Sequence, residues 1–210
     1  MKKKYILSFL LLTNVFISPL FCQYNGDTLI VAYKAEIEKH RKGKNIKFMY
    51  SDSSPLTPEQ KKQFKGLNYF PVNYKYKIEA KLIKYPEQET IIMKTLTDRT
   101  PEYIRYGEVL FTIDTFHLKL SVFQNKKLLD LNKNENHLFV PFKDDTSNEE
   151  SYGGGRYIDC EIPEGNTLML DFNKAYNPYC AYNHKYSCVV PPDENLLPLK
   201  ITAGEKKFED

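Results

Sequence analysis

The 210 residues include no tryptophan, and glycine (9), histidine (4) and cysteine (4) are scarce. No G-x-x-x-x-G-K-[ST] stretch occurs, so the backbone cradle that holds nucleotide phosphates is missing. No G-x-G-x-x-G follows a strand pattern, which removes a dinucleotide-binding turn, and no H-E-x-x-H pair supplies a zinc helix. There is no internal repeat and no low-complexity tract. An excess of one charge is missing too. Lys2, Lys3 and Lys4 account for the whole surplus of 30 basic over 27 acidic residues, so the rest of the chain offers no basic field to a nucleic acid. No cofactor is expected.

What is present begins with "MKKKYILSFLLLTNVFISPLFCQ". Three lysines, a short apolar core and a small-residue end describe a secretory signal peptide over residues 1–22. The run is too short and too interrupted for a membrane span, so no transmembrane helix is expected in the mature chain. Cleavage after Cys22 leaves Gln23 first. Acylation of a retained Cys22 is disfavoured, because bulky Phe21 stands where a lipoprotein signal has a small residue. The expectation is an exported protein, periplasmic or secreted, with one domain over residues 23–210. Sixteen tyrosines and thirteen phenylalanines predict an aromatic-rich core.

Two helices are expected near the start. Asp27 can cap a helix with Leu29, Ile30, Tyr33 and Ile37 on one stripe, ended by Gly43. In "SPLTPEQKKQFKG", Thr57 caps, Pro58 takes the first turn, Gln60 can close a capping box and Gly66 stops the helix. The pattern then alternates. In "YKYKIEAKLIKY", Tyr76, Ile78, Ala80 and Leu82 share one face. "ETIIMKTL", "YIRYGEVLFTID", "HLKLSVFQN", "HLFVPF", "GRYIDCEI", "NTLMLDF" and "LPLKITAGEKK" follow as strand candidates. Strands so spaced, without helices between them, predict a mainly β antiparallel sandwich or barrel.

In an oxidising compartment, Cys160, Cys180 and Cys188 tend to pair. "RYIDCEI" places Cys160 with Ile158 and Ile162 on the core face, which leaves a Cys180–Cys188 disulfide. A zinc site from Cys180, His184 and Cys188 is disfavoured, because prolines bracket a segment poor in helix formers; no metal is expected. A cysteine nucleophile at Cys180 and an acid–base pair of Asp144 with Asp171 find no support in adjacent sequence.

Three irregular stretches, "PFKDDTSNEESYGGGRY", "DFNKAYNPYCAYNHKYSC" and "VVPPDEN", interrupt the later strands and can gather at one end of the sheet. These motifs, together with "TAGEK" and the earlier "FKGLNYFPV", resemble the family of unknown function DUF1684 from about Ser54 to Lys206. Asn148, Ser151 and Val189 depart from the pattern without removing a charge. The resemblance implies a shared fold and supplies no activity. From the residues, a hairpin near "PEGN" would bring Arg156 against Asp171 as a bidentate pair. Asn173, Asn177 and Asn183 can satisfy the backbone of an irregular loop or line a polar pocket. The expected ligand set is Asp144, Thr146, Tyr152, Arg156, Asp171, Asn173, Tyr176 and Asn177, for a small polar ligand such as a saccharide or carboxylate. The alternatives are a hydrolase using the same cluster and a purely structural envelope protein.

Overall fold

The computed structural model describes residues 20–208, with side chains from Gly26 onward. Residues 1–19 of the expected signal peptide and the side chain of Cys22 lie outside the described residues. Helix α1 spans Leu20–Tyr50. It runs through Asp27, the expected cap, and through Gly43, the expected stop. Tertiary packing explains the extension: Phe48, beyond Gly43, is buried with Leu56, Leu67 and Tyr182 in a cluster that holds the last turns down. Helix α2, Pro58–Gln63, forms as its sequence dictates. The Thr57 side chain accepts from the Gln60 N–H and the Gln60 side chain accepts from the Thr57 N–H, a complete capping box with Pro58 in the first turn.

Six strands follow: β1 Lys77–Ile92, β2 Glu102–Ile113, β3 Phe116–Asn125, β4 His137–Asp144, β5 Arg156–Glu161 and β6 Thr167–Asp171, with a single-turn helix α3, Lys126–Asp130, between β3 and β4. The order across the sheet is β5-β4-β3-β2-β1-β6, every neighbour antiparallel; a short β7, Leu196–Leu197, lies parallel to β4. The sheet curls until its edges β5 and β6 approach each other, giving a nearly closed barrel. "ETIIMKTL" is no separate strand, because β1 continues through Ile92 past an irregular register between Lys84 and Glu89.

Alternation sorts the side chains between two faces. Ala80, Leu82, Leu120, Val122, Leu138, Val140, Phe142, Ile158, Leu168 and Leu170 fill the inside, and Cys160 joins them as its pattern predicts. On the outer face, Tyr103, Phe123, Phe139 and Tyr157 make a second cluster. The segment after β6 covers it: Tyr157 and Tyr176 exchange two backbone hydrogen bonds of 2.9 Å, and the Tyr157 hydroxyl donates to the Val189 carbonyl.

The last strand candidate does not form beyond Leu197. Pro198 removes a ladder donor, and Gly204 adopts φ +77, which no strand tolerates. The residues Ile201–Glu205 form no ladder: the Ile201 N–H donates to the Asp144 carboxylate, the Ile201, Ala203 and Glu205 carbonyls accept from Arg156, and Gly204 and Glu205 pair with the backbone of Phe70 and Ala175.

Two glycines should respond oppositely to alanine. A Cβ at Gly43 meets nothing within 4 Å, so Gly43→Ala should stabilise α1 by about 0.5–1 kcal/mol. At Gly107 the added carbon would lie 2.2 Å from the Ile83 carbonyl oxygen, so Gly107→Ala should cost about 1–3 kcal/mol. Urea denaturation of both variants measures the contrast; equal shifts would contradict the packing described.

Candidate functional site

Arg156 opens β5 on the inner face, and its guanidinium is enclosed at the end of the barrel. Nη2 donates to Asp144 Oδ1 at 2.9 Å and to the Ile201 carbonyl at 2.9 Å; Nη1 donates to the carbonyls of Ala203 at 2.5 Å and Glu205 at 3.2 Å. The rings of Phe142 and Phe70 lie 5.2 and 5.6 Å from its Cζ. Asp144 uses its other oxygen to accept from the Thr146 N–H and hydroxyl and from the Ile201 N–H. Burial pulls the guanidinium below its ordinary pKa, and the Asp144 carboxylate opposes that pull. With the Arg156 side chain 0% and the Asp144 side chain 1% exposed, the pair is part of the core and no ligand reaches it.

The expected Arg156–Asp171 pair is therefore not formed. β5 and β6 are consecutive in the chain, yet β5 pairs with β4 and β6 with β1, so no hairpin aligns their ends. Asp171 instead accepts from the Tyr33 hydroxyl of α1 at 2.7 Å and from the Asn173 N–H at 3.0 Å.

The asparagines of "DFNKAYNPYCAYNHKYSC" hold its irregular backbone in place. Asn173 exchanges two 2.9 Å bonds with the backbone of Asn73, Asn177 donates to the Lys206 carbonyl at 2.7 Å, and Asn183 donates to the Pro55 carbonyl at 3.1 Å. Two 3₁₀ turns, Phe172–Lys174 and Tyr179–Ala181, carry the chain across the outer face. Cys180 and Cys188 meet there as free thiols, so the expected disulfide is corrected: the Cys180 N–H donates to Cys188 Sγ at 3.2 Å, and the Tyr152 hydroxyl lies 3.6 Å from Cys180 Sγ. Hydrogen bonds, not a covalent bond, hold the two sulfurs. Burial pushes the Cys160 thiol up to about 12, which leaves it inert.

A cleft of about 860 Å³ lies between the second half of α1 and this segment. Glu205 lies at its floor, 1% exposed. Its carboxylate accepts from the Tyr182 hydroxyl at 2.6 Å and the Asn177 N–H at 2.8 Å, and pairs with Lys44 at 2.6 Å. Lys44 also sits 4.7 Å from the centre of the Tyr176 ring. Tyr176 and Tyr179 form one wall. Burial first, and then the negative charge of the Asp159 carboxylate, push the Tyr176 phenol well up, so it remains neutral. The rim carries Lys39, His40, Lys47 and Lys174. Lys174 pairs with Glu36 at 2.9 Å, whereas neither Lys39 nor Lys47 is ion-paired among the described residues. Partial burial, then the ammonium groups of Lys174 and Lys44, lower the His40 pKa below its usual value.

Of the expected ligand set, Asn173 and Tyr176 line the cleft. Asp144, Thr146 and Arg156 form the buried cluster, Asp171 and Asn177 support the cleft from behind, and Tyr152 faces Cys180. Glu205 and the α1 lysines were missed. The helical spacing of Glu36, His40, Gly43, Lys44 and Lys47, a polar stripe beside Tyr33, Ile37 and Phe48, could have located them.

The family model described as a protein of unknown function, DUF1684, matches residues 62–206. The solution NMR structure of an uncharacterized protein from Haloarcula marismortui superposes with a TM-score of 0.66 at 33% identity, covering 86% of this chain and 97% of that one. No curated protein matches.

Removing the Asp144 charge while keeping its shape, Asp144→Asn, leaves a buried guanidinium uncompensated and should cost about 3–5 kcal/mol. A double-mutant cycle between Arg156 and Asp144 should show strong coupling, while the cycle between Arg156 and Asp171 should show coupling below about 0.5 kcal/mol. Denaturant unfolding of the two cycles reverses this assignment if the second coupling exceeds the first.

Proposed function

We propose that this chain, which belongs to the DUF1684 family, binds a small, anionic polar ligand, a carboxylate or an acidic saccharide, in the cleft between α1 and residues 173–179. The carrying observation is the pair of unpaired rim ammonium groups, Lys39 and Lys47, facing a tyrosine wall across a cavity of ligand size. Tyr179, 41% exposed, offers a flat ring against which a sugar face can stack. Lys39 and Lys47 supply charge to a carboxylate, and Ser51 and Ser53 supply hydroxyls on the same rim.

The hydrolase reading finds less support. Among the described residues, each carboxylate lining the cleft is engaged: Glu36 by Lys174, Asp159 by His137 and Glu205 by Lys44. A general base needs a proton acceptor free to turn toward substrate, and these carboxylates are committed elsewhere. The purely structural reading suits the Arg156 cluster, which is closed, and does not account for the open cleft.

A thermal-shift screen of uronic acids, short carboxylates and the matching neutral sugars tests the proposal. An acidic member should raise the melting temperature, and its affinity should fall about tenfold or more in the Lys39→Ala/Lys47→Ala double variant, about 1.4 kcal/mol. Added salt should weaken binding in the wild type. Neutral and acidic sugars binding alike, or a double variant that binds as well as the wild type, would sink the reading. The direction with pH is fixed as well. Burial and the neighbouring ammonium groups hold the His40 pKa below its usual value, so the ring gains its charge only at a more acidic pH than an ordinary histidine, and affinity for an anion should rise as it does.

Export is part of the same proposal and rests on the sequence of Met1–Phe21. The intact mass of the protein recovered after expression in its host should correspond to a chain beginning at Gln23. A mature chain that retains Met1 or Lys2 would place the protein inside the cell.

A further inference from the structure

Cys180 and Cys188 lie eight residues apart in sequence and meet beneath the Tyr152 side chain, outside the cleft lining. Cys180 Sγ has the Tyr152 hydroxyl at 3.6 Å, and the backbone N–H of Cys180 holds Cys188 Sγ at 3.2 Å. Cys180 is buried and Cys188 is half-buried, an enclosure that favours a small reagent over another protein. From this geometry we propose that Cys180 and Cys188 are a redox-active dithiol, with Cys180 the thiolate that reduces a hydroperoxide and Cys188 the thiol that resolves it.

The electrons balance over two steps. Cys180 S⁻ attacks the terminal hydroperoxide oxygen; an S–O bond forms, the O–O bond breaks, and the alkoxide or hydroxide leaves and takes a proton from water. Cys188 then attacks the Cys180 sulfenic acid. An S–S bond forms, the S–O bond breaks, and the departing hydroxide takes the Cys188 proton as water. Two thiols are oxidised to one disulfide, and one hydroperoxide is reduced to an alcohol or water.

The electrostatics agree with these roles. The Cys188 S–H, then the Tyr152 hydroxyl and the N–H groups of Cys180 and Ala181, lower the Cys180 pKa to about 7 against the opposing effect of burial. Cys188, whose proton is shared with that thiolate, is pushed up. The other titratable or charged groups facing the pair are Tyr157, Tyr103 and Arg99.

The test uses the full chain, reduced and then treated with equimolar hydrogen peroxide. Peptide mass mapping should find Cys180 linked to Cys188, Cys160 untouched, and the link reversed by dithiothreitol. Cys188→Ser should leave a Cys180 sulfenic acid that dimedone traps, and Cys180→Ser should leave Cys188 reduced at the same dose. Iodoacetamide labelling of Cys180 against pH should have its midpoint near 7, and Tyr152→Phe should move it upward. Should a cysteine variant fail to fold, the wild-type labelling curve decides by itself. Cys180 labelling no faster than Cys160 at pH 7, or peroxide leaving the pair unlinked, overturns the proposal.

Discussion

Enclosing a guanidinium in protein is costly unless acceptors meet it, and the way Arg156 finds acceptors for its two terminal nitrogens, while its Nε has none, shapes one end of this molecule. The acceptors are the Asp144 carboxylate on the neighbouring strand, the Thr146 hydroxyl and the carbonyls of Ile201, Ala203 and Glu205. By gathering these three carbonyls, Arg156 does for this stretch part of what an adjacent strand would otherwise do. The C-terminal segment is thereby laid across the barrel without a ladder of its own. The same residue joins the two sites: the Glu205 carbonyl accepts from Arg156, while its carboxylate meets Lys44, Tyr182 and the Asn177 N–H at the cleft floor. The buried ion pair touches no ligand, yet it holds the residue that forms that floor.

The cleft is a by-product of docking α1 on the barrel. Tyr33 reaches Asp171, Arg41 donates to the Phe70 carbonyl at 3.0 Å, and Lys44 reaches Glu205. These anchors recur at helical spacing along one side of α1. The stripe next to them, Glu36, Lys39, His40 and Lys47, is left facing the tyrosine wall. The Tyr69 and Tyr182 hydroxyls beside it are already spent on the Glu205 carboxylate, and the charge presented to solvent comes chiefly from the rim lysines.

Much of the fold was legible because it is set locally. The Thr57 capping box needs only four residues, and the alternation of Tyr76, Ile78, Ala80 and Leu82 is sufficient to place one face of β1 inside. The membership of Asp144, Thr146 and Arg156 in one polar cluster was legible as well. The partner of Arg156 was not, because it depends on strand order. Chain neighbours β5 and β6 end at opposite edges, and no local signal distinguishes that from a hairpin. Gly43 misled for a related reason: its conformational freedom disfavours a helix in isolation, and the burial of Phe48 one turn later overrides it. Glu205 lay inside a recognised motif and was overlooked, since its polar partners come from positions 44, 69, 177 and 182.

One wall of the cavity is a helix fastened by a handful of side-chain bonds, and the other belongs to the barrel. Anything that bridges the walls is therefore thermodynamically linked to the closing of that helix onto the sheet. Occupancy and docking must reinforce each other by the same free energy. The amide protons of the segment from Tyr33 to Phe48 are then natural reporters of ligation, slowing their exchange with solvent when the cavity is filled, even though the barrel behind them does not move.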